Sequence, residues 1–207
     1  MALIHQAELR PTKLELLADW LPAQRWYAGS GAPARVGAYR FDDPDGEVGI
    51  ETFLVRAGDG PVLQVPLTYR AAPLEGAQDR LVGTIDHSVL GQRWVYDGCH
   101  DPVYVAALAA AIRTGSGEAV EYVAAGGRLE ARASLASVRG SGAPSLSAEP
   151  GRIESVDDGD PTLVRCERLE LAVVRAVAAG DGRPGGAVLT GSWDGQAVPV
   201  LLAYALS

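Results

Sequence analysis

Two runs of alternating apolar and polar residues, at 47–54 and 63–69, flank the turn Gly58-Asp59-Gly60. Side chains at every second position of a strand share one face, so this pattern predicts an antiparallel hairpin with one buried face. Pro66 lacks an amide hydrogen and therefore indicates an edge position or a bulge in the second strand. The chain's 25 glycines and 13 prolines favour many turns and short elements over a helical bundle, and further strands are predicted at 81–86 and 93–96.

Two helices are predicted in the first half of the chain. The first covers about residues 12–21, because Thr12 and Glu15 have the spacing of a capping box. The second covers 102–113, because Asp101 is a favoured N-cap residue and the proline after it suits the first helical position. This second helix is apolar nearly all round, so we expect it to be buried.

The sequence of the second half of the chain predicts short strands separated by turns. Residues 120–123 and 129–133 have the pattern of a hairpin, and 134–149 is rich in Ser, Gly, Ala and Pro, which predicts a loop or linker. The last 57 residues predict five antiparallel strands, at 153–156, 163–166, 169–177, 187–193 and 198–204.

Charge and composition exclude several classes of protein. The formal net charge is −8, and the 17 arginines are scattered among acids, which is unlike the basic stripe of a nucleic-acid binder. The absence of an apolar run of 18 residues and of a signal-peptide pattern predicts a protein that neither spans a membrane nor is exported. We therefore expect a cytoplasmic protein, with Cys99 and Cys166 as reduced thiols.

Three segments resemble one family when they are taken together. They are LLADWLPAQRWYAG at 16–29, QVPLTYR at 64–70 and VYDGCHDP at 95–102. Their order and spacing resemble the N-terminal cap of bacterial maltokinases and of related actinobacterial sugar kinases. The resemblance implies an α+β fold in which a curled, cystatin-like antiparallel sheet packs on a helix over residues 1–114. It also implies a second subdomain over 115–207, a small five-stranded antiparallel sheet like that of a kinase N-lobe.

The resemblance also implies where a nucleotide lysine would stand, and this chain lacks it. In the family, the third strand of the second subdomain carries that lysine, whereas here the position falls on Ala172. Lys13 is the single lysine of the chain, and it lies in the first predicted helix. Arg175, three residues after Ala172, is expected on the opposite face of the strand and at the surface. We therefore expect no catalytic residue, no bound nucleotide or other cofactor, and no enzymatic activity from this chain alone.

Two further patterns are possible ligand sites. Residues 149–160, where the resemblance puts a phosphate loop, hold five acids and one arginine, which predicts a solvated turn; a divalent-metal site is the alternative. Cys99-His100-Asp101 invites a metal or nucleophile interpretation, but Asp101 is better explained as the helix cap and Cys99 as a small buried residue. We therefore expect no metal site. Residues 178–186 are expected to form a turn where the family has a helix.

One cluster of residues is the candidate for a structural role or for contact with a partner. It contains Gln24, Arg25, Trp26, Tyr27, Gly29, Tyr96, Asp97, His100 and Asp101. Tryptophan and tyrosine can bind a sugar face or a protein partner. The alternative is that they pack the helix onto the curled sheet, with Arg25 paired to an acid such as Asp97.

Three functional hypotheses follow. The first is a stand-alone, non-catalytic cap and N-lobe-like module with an interaction or regulatory role. Its protein partner would be a sugar kinase or another enzyme of maltose, trehalose or α-glucan metabolism. The second is one half of a split sugar kinase, completed by a separate C-lobe chain. The third is a carbohydrate-binding module that uses aromatic residues such as Trp94 or Trp193. Neither nucleic acid nor a membrane is expected as a partner.

Overall fold

The computed structural model describes residues 2–4, 7–125, 128–146, 149–178 and 186–206. Its elements are short, and most of them are strands. In chain order they are β1 (Ala2–Ile4), β2 (Leu9–Arg10), α1 (Lys13–Trp20), β3 (Pro33–Phe41), β4 (Gly49–Ala57), β5 (Val62–Arg70), β6 (Leu81–His87), β7 (Gly91–Asp97), α2 (Pro102–Thr114), β8 (Glu121–Ala125), β9 (Arg128–Arg132), β10 (Ala136–Gly140), β11 (Ile153–Asp157), β12 (Thr162–Cys166), β13 (Glu170–Val173), β14 (Ala176–Val177), β15 (Val188–Trp193) and β16 (Gln196–Leu206).

The two predicted helices are confirmed, and so are the local signals that start them. Thr12 accepts a hydrogen bond from the backbone of Glu15, whose side chain reaches back to the backbone of Thr12, so the capping box is complete. Asp101 accepts a hydrogen bond from the amide of Val103 and caps α2, which ends at Gly115 with φ 70°. A left-handed glycine is a common way to end a helix, because it lacks the Cβ that would strain this conformation.

The first sheet is antiparallel and curled, in the order β2-β6-β7-β5-β4-β3. Helix α1 contacts both β3 and β6, which lie towards opposite sides of this order. A helix of eight residues can reach both strands only because the sheet curls around it.

The predicted hairpin is present as β4 and β5, but the prediction of a single buried face is wrong. Phe53 and Val55 pack with α1, whereas Ile50 and Leu54, on the other face, pack with α2 and the second sheet. Gln64, on the face expected to be polar, is fully buried and donates through Nε2 to the carbonyls of Val174 and Leu202, both at 2.8 Å. Burial on both faces therefore follows from the elements that cover the sheet.

Pro66 lies neither in an edge strand nor in a bulge of the β4–β5 pairing, which runs through it in continuous register opposite Thr52. Along its other side, β5 pairs with β14 at 62–63 and with β7 at 67–70. The amide of Gln64 points to this side, where it donates to the carbonyl of Arg175, and position 66 has the same orientation. The missing N–H of Pro66 thus falls in the gap between β14 and β7.

The second sheet has six strands rather than the five predicted, in the order β10-β15-β16-β13-β12-β11. The extra strand, β10, lies inside the segment predicted as a loop and pairs with β15 along its whole length. The segment predicted as one strand at 169–177 is divided: β13 belongs to this sheet, while β14 joins the first sheet beside β5. A third sheet contains β1, β8 and β9 and confirms the predicted hairpin at 120–133.

Helix α2 lies between the two large sheets, with Tyr104, Leu108 and Ile112 fully or almost fully buried. The described residues thus form mostly antiparallel sheet with few helices, which agrees with the sheet-rich fold that was predicted. The cystatin-like and N-lobe-like descriptions and the division near residue 114 stay predictions. The turn predicted at 178–186 falls mainly on residues outside those that the structure describes. None of the helices in the described ranges combines the length and apolar character needed to cross a membrane.

Candidate functional site

The predicted cluster comes from two stretches of chain, one after α1 and one at the end of β7. In the first stretch Trp26 is 5% exposed and packs edge-on against Trp20, with 5.8 Å between ring centroids. Gln24 donates to the carbonyl of Trp20, at 3.1 Å. Arg25, in contrast, is exposed, and Tyr27 is half-buried. In this stretch, therefore, the side chain of Trp26 is part of the core, and those of Arg25 and Tyr27 are accessible to solvent.

Gly29 completes the first stretch through a close backbone approach. A Cβ at this position would lie 2.8 Å from the Cβ of Ala57 in β4, and 3.3 Å from the hydroxyl of Tyr27. A side chain here would push the segment away from the sheet, so Gly29 has a packing role.

The second stretch is built from hydrogen-bonded turns. Asp97 accepts a hydrogen bond from the amide of Cys99 at 3.0 Å, which shapes the 3₁₀ turn before α2. Asp101 caps α2 and also receives two hydrogen bonds of 2.7 Å from the guanidinium of Arg70. The structural interpretation of Asp101 is thereby confirmed. Tyr96 is buried, and its hydroxyl accepts a hydrogen bond from the amide of Leu74 at 3.0 Å.

Arg175 brings the two stretches together, and sequence reasoning placed it wrongly at the surface. Its side chain is fully buried; Nη2 donates to Asp97 at 2.6 Å, Nε donates to the hydroxyl of Thr162 at 2.8 Å, and the guanidinium lies 4.6 Å from the centroid of the Trp26 ring. Such a cation over an indole face is a favourable cation–π geometry. Strand alternation did not apply, because β13 ends at Val173 and the chain crosses there to the first sheet.

The expected pair between Arg25 and Asp97 is also wrong. Asp97 pairs with Arg175 instead. Arg25 lies 4.0 Å from Asp157, and the side chains of Arg25 and Asp157 are both mostly exposed. Burial opposes the charged form of Arg175, but the charge of Asp97 outweighs it and raises the pKa of Arg175 above its ordinary value. The guanidinium therefore stays charged inside the protein.

The acidic turn at 157–160 contacts the first sheet, and the prediction of a solvated turn is wrong for Asp158, which is half-buried, whereas Asp160 is exposed. Asp158 lies 2.7 Å from Nε2 of His100 and accepts a hydrogen bond of 2.8 Å from Arg80. Asp160 accepts hydrogen bonds from the backbone amides of Arg175 and Ala176, at 2.8 and 3.2 Å. Both carboxylates thus hold the second sheet against the first, and Asp157 remains exposed.

The same contacts bear on the metal alternative. Asp97, His100 and Asp158 offer ligand atoms within 4.8 Å of one another, which is a possible metal-binding arrangement. Asp97 already pairs with Arg175, and Asp158 with Arg80. A divalent cation would have to displace two guanidinium groups, so the cluster is better described as internally neutralised ion pairs.

The expected nucleotide position is closed. Ala172 is fully buried in β13, directly opposite Leu163 in β12 and Tyr204 in β16. Lys13 forms an ion pair with Glu51 in the first sheet. Arg175 is held by Asp97 and Thr162, so both Lys13 and Arg175 have structural partners away from this position.

The contacts of Asp158 predict a pH-dependent contribution to stability. Partial burial raises the pKa of this carboxyl, but His100 and Arg80 outweigh that effect and hold the pKa below its ordinary value. A carboxyl whose pKa is lower in the folded state stabilises the fold above its unfolded pKa of about 3.9, and this contribution is lost as the pH falls through the folded pKa. Asp158→Asn should lower the free energy of unfolding by roughly 1 kcal/mol at pH 7. Urea titrations should show this difference closing below about pH 4.

The control for this prediction is Asp59→Asn, in the exposed turn between β4 and β5. The free energy of unfolding of that variant should equal that of the native protein at pH 7 and at pH 3. An Asp158→Asn effect that is the same at pH 7 and at pH 3 would contradict an ionic contribution.

Part of this chain matches a known family. Residues 20–101 match the family model of the maltokinase N-terminal cap domain. The matched segment begins at the last residue of α1, includes the turn with Trp26 and strands β3 to β7, and ends at Asp101. The match covers less than half of the chain, and it confirms the resemblance inferred from the three segments. Comparison with curated proteins gives no match.

Proposed function

Because residues 20–101 carry a maltokinase N-terminal cap domain, we propose that this chain is a non-catalytic cap and N-lobe-like module that acts by binding another protein. The observation that carries the proposal is the buried Ala172, at the position where the resemblance expects the nucleotide lysine. Phosphoryl transfer needs groups that position and neutralise the phosphates of the nucleotide. A fully buried methyl group supplies neither.

The role of Arg175 supports the same conclusion. A cation three residues from the expected lysine could in principle replace it, but this guanidinium is committed to Asp97, Thr162 and the ring of Trp26. Moving it towards a nucleotide would leave the buried carboxylate of Asp97 without its partner, which is energetically costly. Arg175 is therefore assigned a structural role, joining the two large sheets.

The partner would bind where the cluster remains accessible. Trp26, Tyr96, Asp97 and Asp101 are buried inside the fold. Arg25 is exposed and Tyr27 is half-exposed, and both belong to the segment between α1 and β3. Arginine and tyrosine are enriched among residues that dominate binding energy at protein interfaces. We assign the contact with the partner to this segment.

The identity of the partner follows from the resemblance alone. We propose a cytoplasmic protein of maltose, trehalose or α-glucan metabolism, with a sugar kinase as the first candidate.

A two-part experiment tests this function. The purified chain is incubated with maltose, ATP and Mg²⁺, and phosphorylated sugar is measured; we expect none. The chain and the double variant Arg25→Ala/Tyr27→Ala are then used to recover proteins from the native cytoplasm. We expect a protein that the native chain retains and the double variant loses, while the control Arg139→Ala, at an exposed position of β10, retains it.

The outcomes separate the hypotheses. Phosphorylation of maltose by the chain alone would contradict the proposal. Nucleotide binding that appears only when a separate kinase C-lobe chain is added would favour the split kinase. Retardation of the chain in a glycogen-containing gel, lost on substitution of Trp94 or Trp193, would favour the carbohydrate-binding module.

A further inference from the structure

Strand β9 forms an open edge of the third sheet. It pairs with β8 on one side, and no strand among the described residues pairs with its other side. All five residues of β9 are exposed. Its pairing with β8 runs in continuous register from Arg128 to Arg132, without a bulge, and the strand contains no proline. An exposed strand with such a regular edge is a template for pairing with another strand.

Other sheet edges are interrupted or covered. The pairing of β11, at one edge of the second sheet, has an irregularity between Ile153 and Ser155. On β3, at one edge of the first sheet, the carbonyl of Ala38 accepts a hydrogen bond from the hydroxyl of Ser134 at 3.1 Å. Bulges and local contacts of this kind protect an edge from pairing, and β9 has neither in the part of the chain that the structure describes.

The turn of the β8–β9 hairpin decides which backbone groups of β9 face outward. Ala125 and Arg128 flank a two-residue turn, and in such a hairpin the flanking pair exchanges both of its hydrogen bonds. Backbone groups of successive residues point to opposite sides of a strand. The N–H and C=O groups of Leu129 and Ala131 therefore point to the open edge, where no backbone group of the described residues bonds to them.

The side chains of β9 are sorted by face. Leu129 and Ala131 lie on one face of the sheet, and Leu129 is 50% exposed although it is apolar. Arg128, Glu130 and Arg132 lie on the other face, so that their charges alternate along the strand as plus, minus, plus. This order of charges decides how the strand can pair with a copy of itself.

Charge complementarity selects the register of such a pair. If two antiparallel β9 strands place Glu130 opposite Glu130, every charge faces a like charge, which is destabilising. If they place Leu129 opposite Leu129, Arg128 of each copy faces Glu130 of the other, and two opposite-charge pairs form. The outward N–H and C=O groups of the two Leu129 residues can then bond to each other, and their side chains lie on one face, where each covers the other.

The opposite shift, with Ala131 facing Ala131, would also pair unlike charges but is less favourable. It brings two methyl groups together in place of two leucine side chains. It also runs the second strand past Arg132, where β9 ends, towards Ser134, which is bonded to β3.

We propose that β9 is an interface between two copies of this chain, which pair antiparallel about a two-fold axis at Leu129 and join their third sheets into one six-stranded sheet. A two-fold contact uses the same surface of both copies, so the association stops at the dimer. One short strand buries less than the roughly 1,200 Å² of a standard interface, so we expect the dimer to be reversible. The interface includes neither Arg25 nor Tyr27, and its failure would leave the proposed partner surface untouched.

Sedimentation equilibrium of the purified chain measures the monomer–dimer equilibrium. The native protein should pass from monomer to dimer as its concentration rises towards about 1 mM, with no larger species. Arg128→Glu and Glu130→Arg should each weaken dimerisation about tenfold or more, because each variant turns two opposite-charge pairs into two like-charge pairs.

A charge exchange provides the decisive control. The double variant Arg128→Glu/Glu130→Arg restores both pairs in reversed order and should dimerise like the native chain. Arg139→Glu makes the same change of charge at an exposed position of β10 and should leave the equilibrium unchanged. A native chain that stays monomeric up to about 1 mM, or a double variant that dimerises no better than the single variants, would overturn the proposal.

Cysteine cross-linking checks the position of the axis. Leu129→Cys places two thiols opposite each other and should give a disulfide-linked dimer when oxidised glutathione is added. Ala131→Cys places its two thiols four positions apart along the paired strands, or roughly 13 Å, and should not be linked. The native thiols of Cys99 and Cys166 are buried and should not contribute. Cross-linking of Ala131→Cys but not of Leu129→Cys would contradict an axis at Leu129.

Discussion

Replacing Arg175 by methionine should destabilise the protein by about 3–5 kcal/mol, the usual cost of removing one partner of a buried ion pair. Methionine keeps much of the apolar stem but leaves Asp97 buried, with only 4% of its surface exposed. It also removes the cation from the face of Trp26 and the donor to Thr162. The free energy of unfolding, measured by urea denaturation, checks this value.

The matched control for Arg175→Met is Arg165→Met. Arg165 pairs with Glu170 at 2.9 Å, but its side chain is 54% exposed. An exposed pair contributes about 1 kcal/mol or less, so this variant should be close to the native protein in stability. The double variant Arg175→Met/Asp97→Asn should recover part of the loss, because no unpaired charge remains buried. If Arg175→Met were as mild as Arg165→Met, Arg175 would not join the sheets as described.

Introducing a lysine at the expected nucleotide position should be nearly as damaging. Ala172 is fully buried, so the ammonium of Ala172→Lys would have to enter the protein uncharged or displace Tyr204 and Leu163. Full burial lowers the pKa of a lysine by up to about 3–5 units, and deprotonating a group of ordinary pKa near 10.4 at pH 7 costs about 5 kcal/mol. We therefore expect a loss of stability of about that size at pH 7, measured by urea denaturation.

The sign of the pH dependence identifies the cause. A lysine whose pKa is lower in the folded state destabilises the fold at neutral pH, and the penalty shrinks as the pH rises towards about 10. Ala172→Met, of similar length and without charge, reports the steric part and should show no such dependence. Ala131→Lys, on exposed β9, should be tolerated. An Ala172→Lys protein of native stability would contradict the closed site and weaken the non-catalytic proposal.

The local elements of this fold were predictable because their causes lie within a few residues of one another. The capping box of α1 joins Thr12 to Glu15, and the cap of α2 joins Asp101 to Val103. The dipeptide Asp194-Gly195, a common hairpin turn, connects β15 to β16, with Trp193 opposite Gln196. Hydrogen bonds of such short range depend only on residue types at fixed spacing.

Several residues of the candidate site were identified from the sequence, but the contacts that they make were not. Trp26, Asp97 and His100 were singled out from their motifs, and they do lie along the joint with the second sheet. Their actual partners, Arg175 and Asp158, are separated from them by 58 or more positions in the chain. Strand alternation also assumed that β13 continued past Val173, whereas tertiary pairing draws β14 to another sheet.

The sequence by itself determined that this chain forms short antiparallel strands and two capped helices, and that its single lysine stands far from the expected nucleotide strand. It also determined the match of residues 20–101 to the maltokinase N-terminal cap domain. Only the tertiary structure decided that both faces of β4 and β5 are buried, that Arg175 rather than Arg25 meets Asp97, and that Ala172 is closed off. The physical reason is that burial and ion pairing depend on which distant surfaces meet, and a strand pattern specifies a face without specifying what covers it.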